Sequence, residues 1–254
     1  MKIRILGYNG SIGSGRHTTS FLIGDDILID AGTGVCKMSI EEMLRVRHIF
    51  LTHSHLDHIT GIPLMIDSVF GQTGTPVTVH ARAETLAALR EHIFNWTIWP
   101  DFSVLPDAEH PVLCFETLAP GESRTLGKRT LHSIPVNHVV PAVGYRIEND
   151  TGAFAFSGDT TTNDSFWDGL NRFGRLDLLI VEAAFADKDI EIARKSGHYC
   201  PRLLAADLPK LRHHPRVRLT HPKPGAEENI LRECRAQIAG FTVEDLEGNE
   251  VFQI

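Results

Sequence analysis

Residues 52–58 read Thr-His-Ser-His-Leu-Asp-His. Three imidazoles and one carboxylate fall within six residues, directly after Val46–Leu51 (VRHIFL), which reads as a buried strand. On an extended segment, His53 and His55 point to the same side. Asp57 and His58 follow where the chain turns into a helix, so one ion can take the first pair of histidines and a second ion the next pair. Imidazole and carboxylate together suit zinc and similar divalent ions. A loop burying so many titratable groups without a metal would be costly, which makes metal binding a better reading than a polar loop with chance histidines.

The rest of the chain narrows the setting. Lys and Arg number 25 and Asp and Glu 32, a formal net charge of −7 over 254 residues. Binding nucleic acid through overall charge calls for the opposite sign. A phosphorylated substrate stays open, because bound metal inverts the local field. The start of the chain is strand-like and lacks the layout of a signal peptide. No apolar run approaches the roughly 20 residues that span a bilayer. Cys36, Cys114, Cys200 and Cys234 are scattered with no CxxC pair, so the expectation is a cytoplasmic protein with no membrane partner. Strands are expected at 3–6, 20–23, 27–29, 46–51, 77–79, 130–134, 142–147, 153–156, 176–181 and 217–220. Helices are expected at 62–70, 83–93, 200–212 and 226–238. Strands lead and helices follow in each half, which points to two packed sheets with helices outside and to one domain over residues 1–254. The run from Gly7 to Gly15 lacks the GK[ST] ending of a phosphate loop and leads into a strand. It reads as a loop on the rim of the active site.

HSHLDH resembles the HxHxDH signature of the metallo-β-lactamase superfamily, and further motifs of that family follow in order. Asp30 stands in ILIDAGTG, His138 in PVNHVVPAVGY, Asp159 in FSGDTT and His221 in RLTHPKP. The resemblance implies an α/β fold, the αββα sandwich of two mixed sheets packed face to face, with the metals at one edge. It implies two divalent ions, zinc by its donor set, with manganese or iron suited to the same ligands. His53, His55 and His138 would hold one ion and Asp57, His58 and His221 the other. Asp159 would bridge them, and Asp30 would orient the histidine loop by hydrogen bonds.

Within the superfamily, three segments resemble class II 3′,5′-cyclic nucleotide phosphodiesterases, in the ribonuclease Z-like branch. They are HLDHITGIPLMIDS, LREHIFNWTIWPDF (Leu89–Phe102), and SGHYCPRLLAADLPKL with the later THPKP. Tyr199 and Cys200 after His198, and the residues around His221, depart from the pattern and leave room for an altered substrate preference. The activity implied is hydrolysis of cyclic AMP or cyclic GMP to the 5′-monophosphate by a metal-activated hydroxide. Asp57 would help orient the water, His198 would assist the leaving oxygen, and Glu182 would support His198. Phe94, Trp96, Trp99 and Phe102 would offer a stacking wall for a purine, and Asn95 a two-way hydrogen bonder. The same aromatics would equally serve as core between a helix and a loop. A homodimer is the assembly the resemblance implies. The alternative enzyme is a ribonuclease Z-like tRNA 3′ endonuclease, which the acidic charge and the lack of a long basic arm disfavour. A non-enzyme alternative is a cyclic nucleotide receptor on a retired hydrolase.

Overall fold

The computed structural model describes all residues from Met1 to Ile254. Fourteen strands alternate with eight α-helices. The strands are β1 (Lys2–Gly7), β2 (Ser20–Ile23), β3 (Ile27–Ile29), β4 (His48–Phe50), β5 (Val77–Ala81), β6 (Leu113–Thr117), β7 (Ser123–Leu126), β8 (Arg129–Pro135), β9 (Val143–Glu148), β10 (Ala153–Phe156), β11 (Leu178–Glu182), β12 (Arg216–Thr220), β13 (Val243–Asp245) and β14 (Val251–Gln253). The helices are α1 (Ile40–Met43), α2 (Leu56–Ile59), α3 (Gly61–Val69), α4 (Ala83–His92), α5 (Ser165–Leu170), α6 (Ile190–Ser196), α7 (Pro201–Asp207) and α8 (Glu227–Gln237).

Two seven-stranded sheets result, in the orders β14-β1-β2-β3-β4-β5-β6 and β13-β12-β11-β10-β9-β8-β7. Each is mixed in the same way. β1, β2 and β3 pair antiparallel, then β3 to β6 run parallel. In the second sheet β7 to β10 pair antiparallel, then β10 to β13 run parallel.

Side-chain alternation explains why the sheets stack. In β2 and β3, Phe21, Ile23, Ile27 and Ile29 face the opposite sheet, while Leu22 and Leu28 face the helices. In β10 and β11, Phe154, Phe156, Leu178 and Ile180 face inward, while Ala155, Leu179 and Val181 face out. Both faces of these strands are buried, so they read as unbroken apolar runs. The outer faces are covered by α3 and α4 on the first sheet and by α5, α7 and α8 on the second. The four-layer sandwich expected from the sequence is the observed fold.

The differences from expectation lie in the edge strands, in the extent of one helix and in three short helices that were not expected, α1, α5 and α6. β6, β7, β13 and β14 are additional strands; β7 is wholly polar or half-exposed, β13 and β14 are three residues long, and β6 buries only its first residue, Leu113. The helix expected over 200–212 ends at Asp207 and passes into a 3-10 turn, Leu208–Lys210. Pro209 lacks the N–H that would continue it. No helix is long and apolar enough to cross a membrane.

Candidate metal centre

The parallel strands end at one edge of the sandwich, and the motif residues leave from those ends. Asp30 follows β3, the segment Thr52–His58 follows β4, and His138 follows β8. Asp159 follows β10, Glu182 closes β11 and His221 follows β12. Crevices at the carboxyl ends of strands are where α/β sheets gather their functional groups.

Asp30 organises the first loop. It is fully buried and turns into the left-handed region, at φ 53. Its carboxylate accepts hydrogen bonds from the Thr52 N–H and hydroxyl, both at 2.8 Å, and from His58 Nδ1 at 2.7 Å. With Nδ1–H committed to Asp30, the Nε2 lone pair of His58 turns toward the centre. His138 is oriented in the same way by the Gly197 carbonyl, which accepts from Nδ1 at 2.9 Å. Its Nε2 then lies 3.3 Å from His55 Nδ1.

Asp159 sits in the middle. Gly158 turns the chain sharply at φ 60, and a Cβ there would meet the Val143 carbonyl at 2.8 Å, so the turn requires glycine. One Asp159 oxygen lies 3.7 Å from His53 Nε2 and 3.4 Å from His58 Nε2; the other lies 3.3 Å from His221 Nδ1. Asp57 lies 3.8 Å from His58 and 3.7 Å from His221. Two four-residue groups of donors form, each with its atoms within 4.8 Å of one another: His53, His55, His138 and Asp159, and Asp57, His58, Asp159 and His221. Asp159 belongs to both, and also falls in a third, smaller group with Glu182 and His198.

These donors fit divalent ions. His53 Nε2, His58 Nε2, Asp159 Oδ1 and His221 Nδ1 are buried without any hydrogen-bond partner. Such atoms each cost about 1–3 kcal/mol unless something satisfies them, and here the three rings surround Asp159. Burial holds His53 and His221 well below the ordinary imidazole range and brings His138 down to about 4, which keeps the neutral form that binds metal. Burial opposes charge on His58 too, but the Asp159 and Asp30 carboxylates outweigh it and hold that ring well above its usual value. Burial likewise opposes a charged Asp159, and the charged His58 ring beside it outweighs that, holding the carboxyl well below its range.

A second pair adjoins the donors. Glu182 is fully buried and binds His198 Nδ1 at 2.7 Å. It also accepts the N–H groups of Thr160, Ala184 and Tyr199. Burial lowers His198, but Glu182 outweighs it and raises the ring above its ordinary value. The His198 ring centre lies 5.1 Å from that of His138 and 5.2 Å from that of His221. A protonatable imidazole therefore stands beside the metal donors.

The aromatic segment is arranged differently from the stacking wall expected for it. Phe94 and Phe102 are only 2% and 3% exposed and pack in the core beneath the first sheet. Neither has a free face for a base. Trp99 is partly buried against the same core. Asn95 spends its side chain locally, accepting from Thr97 and Ile98 N–H and donating to the Glu91 carbonyl. Only Trp96 stands out, 64% exposed at φ 64. Three residues that orient the site were not foreseen. Thr52 and Gly197 carry no chemical signature of their own. Lys223, within the THPKP motif, donates to the Gly10 carbonyl at 2.8 Å.

Fold and donor set together define a metallohydrolase of the αββα sandwich, with its donors gathered at one edge. The chain belongs to the beta-lactamase superfamily, whose domain matches residues 25–237. It is 28% identical to a probable 3′,5′-cyclic-nucleotide phosphodiesterase of Yersinia pestis, over 65% of this chain and 51% of that one. It is 26% identical to a ribonuclease Z of Haloarcula marismortui, over 59% of this chain and 48% of that one. The matches thus span about half the length of these two relatives. Unliganded yeast PDE1 superposes with a TM-score of 0.82 at 17% identity, covering 98% of both chains.

Proposed function

We propose that this protein hydrolyses 3′,5′-cyclic nucleotides to nucleoside 5′-monophosphates at a centre of two divalent ions. The observation that carries the reading is the pair of four-residue donor groups sharing Asp159, with the Glu182–His198 pair beside them. His53, His55 and His138 would hold one ion and Asp57, His58 and His221 the other, with Asp159 common to both donor groups. Zinc suits this donor set, and manganese or iron suits the same ligands. Bound there, such ions would neutralise phosphoryl oxygens and lower the pKa of a water so that hydroxide is available to attack phosphorus near neutral pH.

The chain's own residues do the rest. Asp57, 27% exposed at its side chain, faces the opening and orients the attacking water. As the bond from phosphorus to the 3′ oxygen breaks, His198 delivers a proton to that oxygen. Glu182 keeps His198 protonated and fixes its ring. The Yersinia relative supports the cyclic nucleotide as substrate. The four cysteines are all unpaired, which supports a reducing compartment such as the cytoplasm.

The Haloarcula relative favours a second reading, a tRNA 3′ endonuclease; the net charge of −7 weighs against it. One panel separates the two. Protein of known metal content is assayed against cyclic AMP, cyclic GMP, a linear diester and precursor tRNA. Cyclic nucleotides are expected to turn over fastest. Cleavage of precursor tRNA with no cyclic nucleotide turnover would overturn the reading.

A further inference from the structure

The loop between β1 and β2 is tied to the turn that carries His221. The Gly10 N–H donates to the Pro222 carbonyl at 3.2 Å, and Lys223 Nζ reaches the Gly10 carbonyl at 2.8 Å. A Cβ at Gly10 would stand 2.7 Å from the His221 ring, so the loop approaches as closely as glycine allows. Its tip is thereby held beside the metal donors. Between that tip and the start of α2 lies an open pocket of about 430 Å³, with Asp57 on its wall. That size falls in the range of about 300–1,000 Å³ usual for small-ligand sites.

The lining is informative. Ile12 and Leu56 border the pocket and are 67% and 63% exposed. Both are large apolar side chains left in solvent at the mouth of a charged centre. Ser11 and Thr60 add hydroxyls, and Lys223 is the only cation among the lining residues. Apolar surface with a few hydroxyls suits a flat heterocycle bearing polar edges, and one ammonium suits one phosphate. A polynucleotide, held by many phosphate contacts, would need more positive charge.

We infer that this pocket receives the nucleoside part of the substrate, with its base against Ile12 and Leu56 and its phosphate beside Lys223, whose ammonium lies 3.4 Å from His221 Nε2 at the edge of the metal donors. The inference rests on the phosphodiesterase reading and names the specificity side of that site. Ile12 is a surface residue of a loop, so Ile12→Ala tests the pocket without touching the core. Leu56→Ala, with metal content checked, tests the opposite wall.

The experiment is calorimetric binding of adenosine 5′-monophosphate and of inorganic phosphate to the metal-loaded protein. Wild type is expected to bind the nucleotide at least about tenfold more tightly than phosphate. Each variant is expected to weaken nucleotide binding about tenfold and to leave phosphate binding within about twofold, since a lost base contact touches only the nucleotide. Equal affinity of wild type for the two ligands would overturn the pocket. So would variants that leave nucleotide binding unchanged, or that weaken both ligands alike. Turnover of cyclic AMP in the same preparation is read separately. Nucleotide binding of the expected kind without turnover overturns the proposed reaction and keeps the pocket; turnover without it does the reverse.

Discussion

Asp30→Asn separates the fold of this centre from its chemistry. The substitution keeps the shape of the side chain, and asparagine tolerates the left-handed backbone that residue 30 adopts. Its amide oxygen still accepts the Thr52 N–H that now reaches Asp30 at 2.8 Å. The amide nitrogen, however, takes the place of the oxygen that binds His58 Nδ1 at 2.7 Å. A donor then faces a donor. The conflict is resolved if the imidazole moves its proton to Nε2, the atom that faces Asp159 at 3.4 Å. In that tautomer His58 has no lone pair for a metal. Loss of such an orienting partner costs about 10- to 100-fold in metal affinity, or about 1.4–2.7 kcal/mol. Exchanging a charged hydrogen bond for a neutral one lowers folding stability by about 1–2 kcal/mol, so the variant stays folded. Chelator competition with elemental analysis reads the affinity, and thermal unfolding reads the fold. A folded Asp30→Asn protein that retains both ions at wild-type affinity would refute the tautomer argument.

Asp159→Ala removes the one carboxylate shared by both donor groups; bound metal should fall below two ions per chain and kcat by at least about 100-fold, and unchanged stoichiometry would assign the bridge to another group. His198→Ala should lower kcat for cyclic nucleotides by about 100-fold or more, the usual worth of a proton donor. It should spare bis-p-nitrophenyl phosphate, whose leaving group departs as a stable phenolate; equal losses on both substrates would make His198 a structural residue. A pH effect is expected away from the centre, at His80. Burial, then the His48 ring 3.0 Å away and the Arg124 guanidinium, lower His80 to about 3. The unfolded chain takes up a proton near pH 6.5 that the folded chain refuses. This stability is therefore complete above pH 6.5 and is lost as pH falls toward 3, by up to about 2 kcal/mol at pH 5, with the Glu116 carboxylate 3.1 Å from His80 Nδ1 working against the loss. Urea unfolding at pH 7.5 and 5 should show a smaller difference in His80→Gln than in wild type, and identical differences would exclude His80.

How much of this was legible in the sequence depended on how local each signal is. The ligands of HSHLDH are adjacent, so their density alone pointed to metal. Asp30 was marked by the apolar strand before it. His138 and His221 are lone histidines that mean little singly; their order along the chain gave them meaning. Thr52 and Gly197 had no such order to reveal them, since one acts through a hydroxyl and an N–H and the other through a backbone carbonyl. The aromatic run from Phe94 to Phe102 illustrates the opposite hazard. Aromatics at the end of a helix look alike in sequence whether they face a ligand or a core, and only the packing of Phe94 and Phe102 beneath the first sheet distinguishes the two. Three of the edge strands were hidden because strands of three or four residues bury too few side chains to impose a period; β6, five residues long, buries only Leu113.

The donor set also explains why the sandwich needs both of its sheets. His53, His55, Asp57 and His58 come from the first sheet, and His138, Asp159 and His221 from the second. Each donor group draws on both, so neither half can assemble a complete set alone. The inter-sheet core ends directly behind the site, where the Tyr145 hydroxyl donates to the Leu51 carbonyl at 2.8 Å and ties β9 to the segment that enters the histidine loop. A metal held across that seam would add a further tie between two sheets that meet through apolar contact and a few hydrogen bonds, among them Val143 N–H to the Thr52 carbonyl at 3.0 Å. By mass action, an ion present at 1,000 times its dissociation constant adds about 4 kcal/mol to folding stability, a large share of the roughly 5–15 kcal/mol of a typical domain. The buried unpaired atoms of His53, His58, Asp159 and His221 oppose folding until they are satisfied. The residues that would perform the chemistry are thus also residues through which metal supply sets how firmly the two sheets hold together.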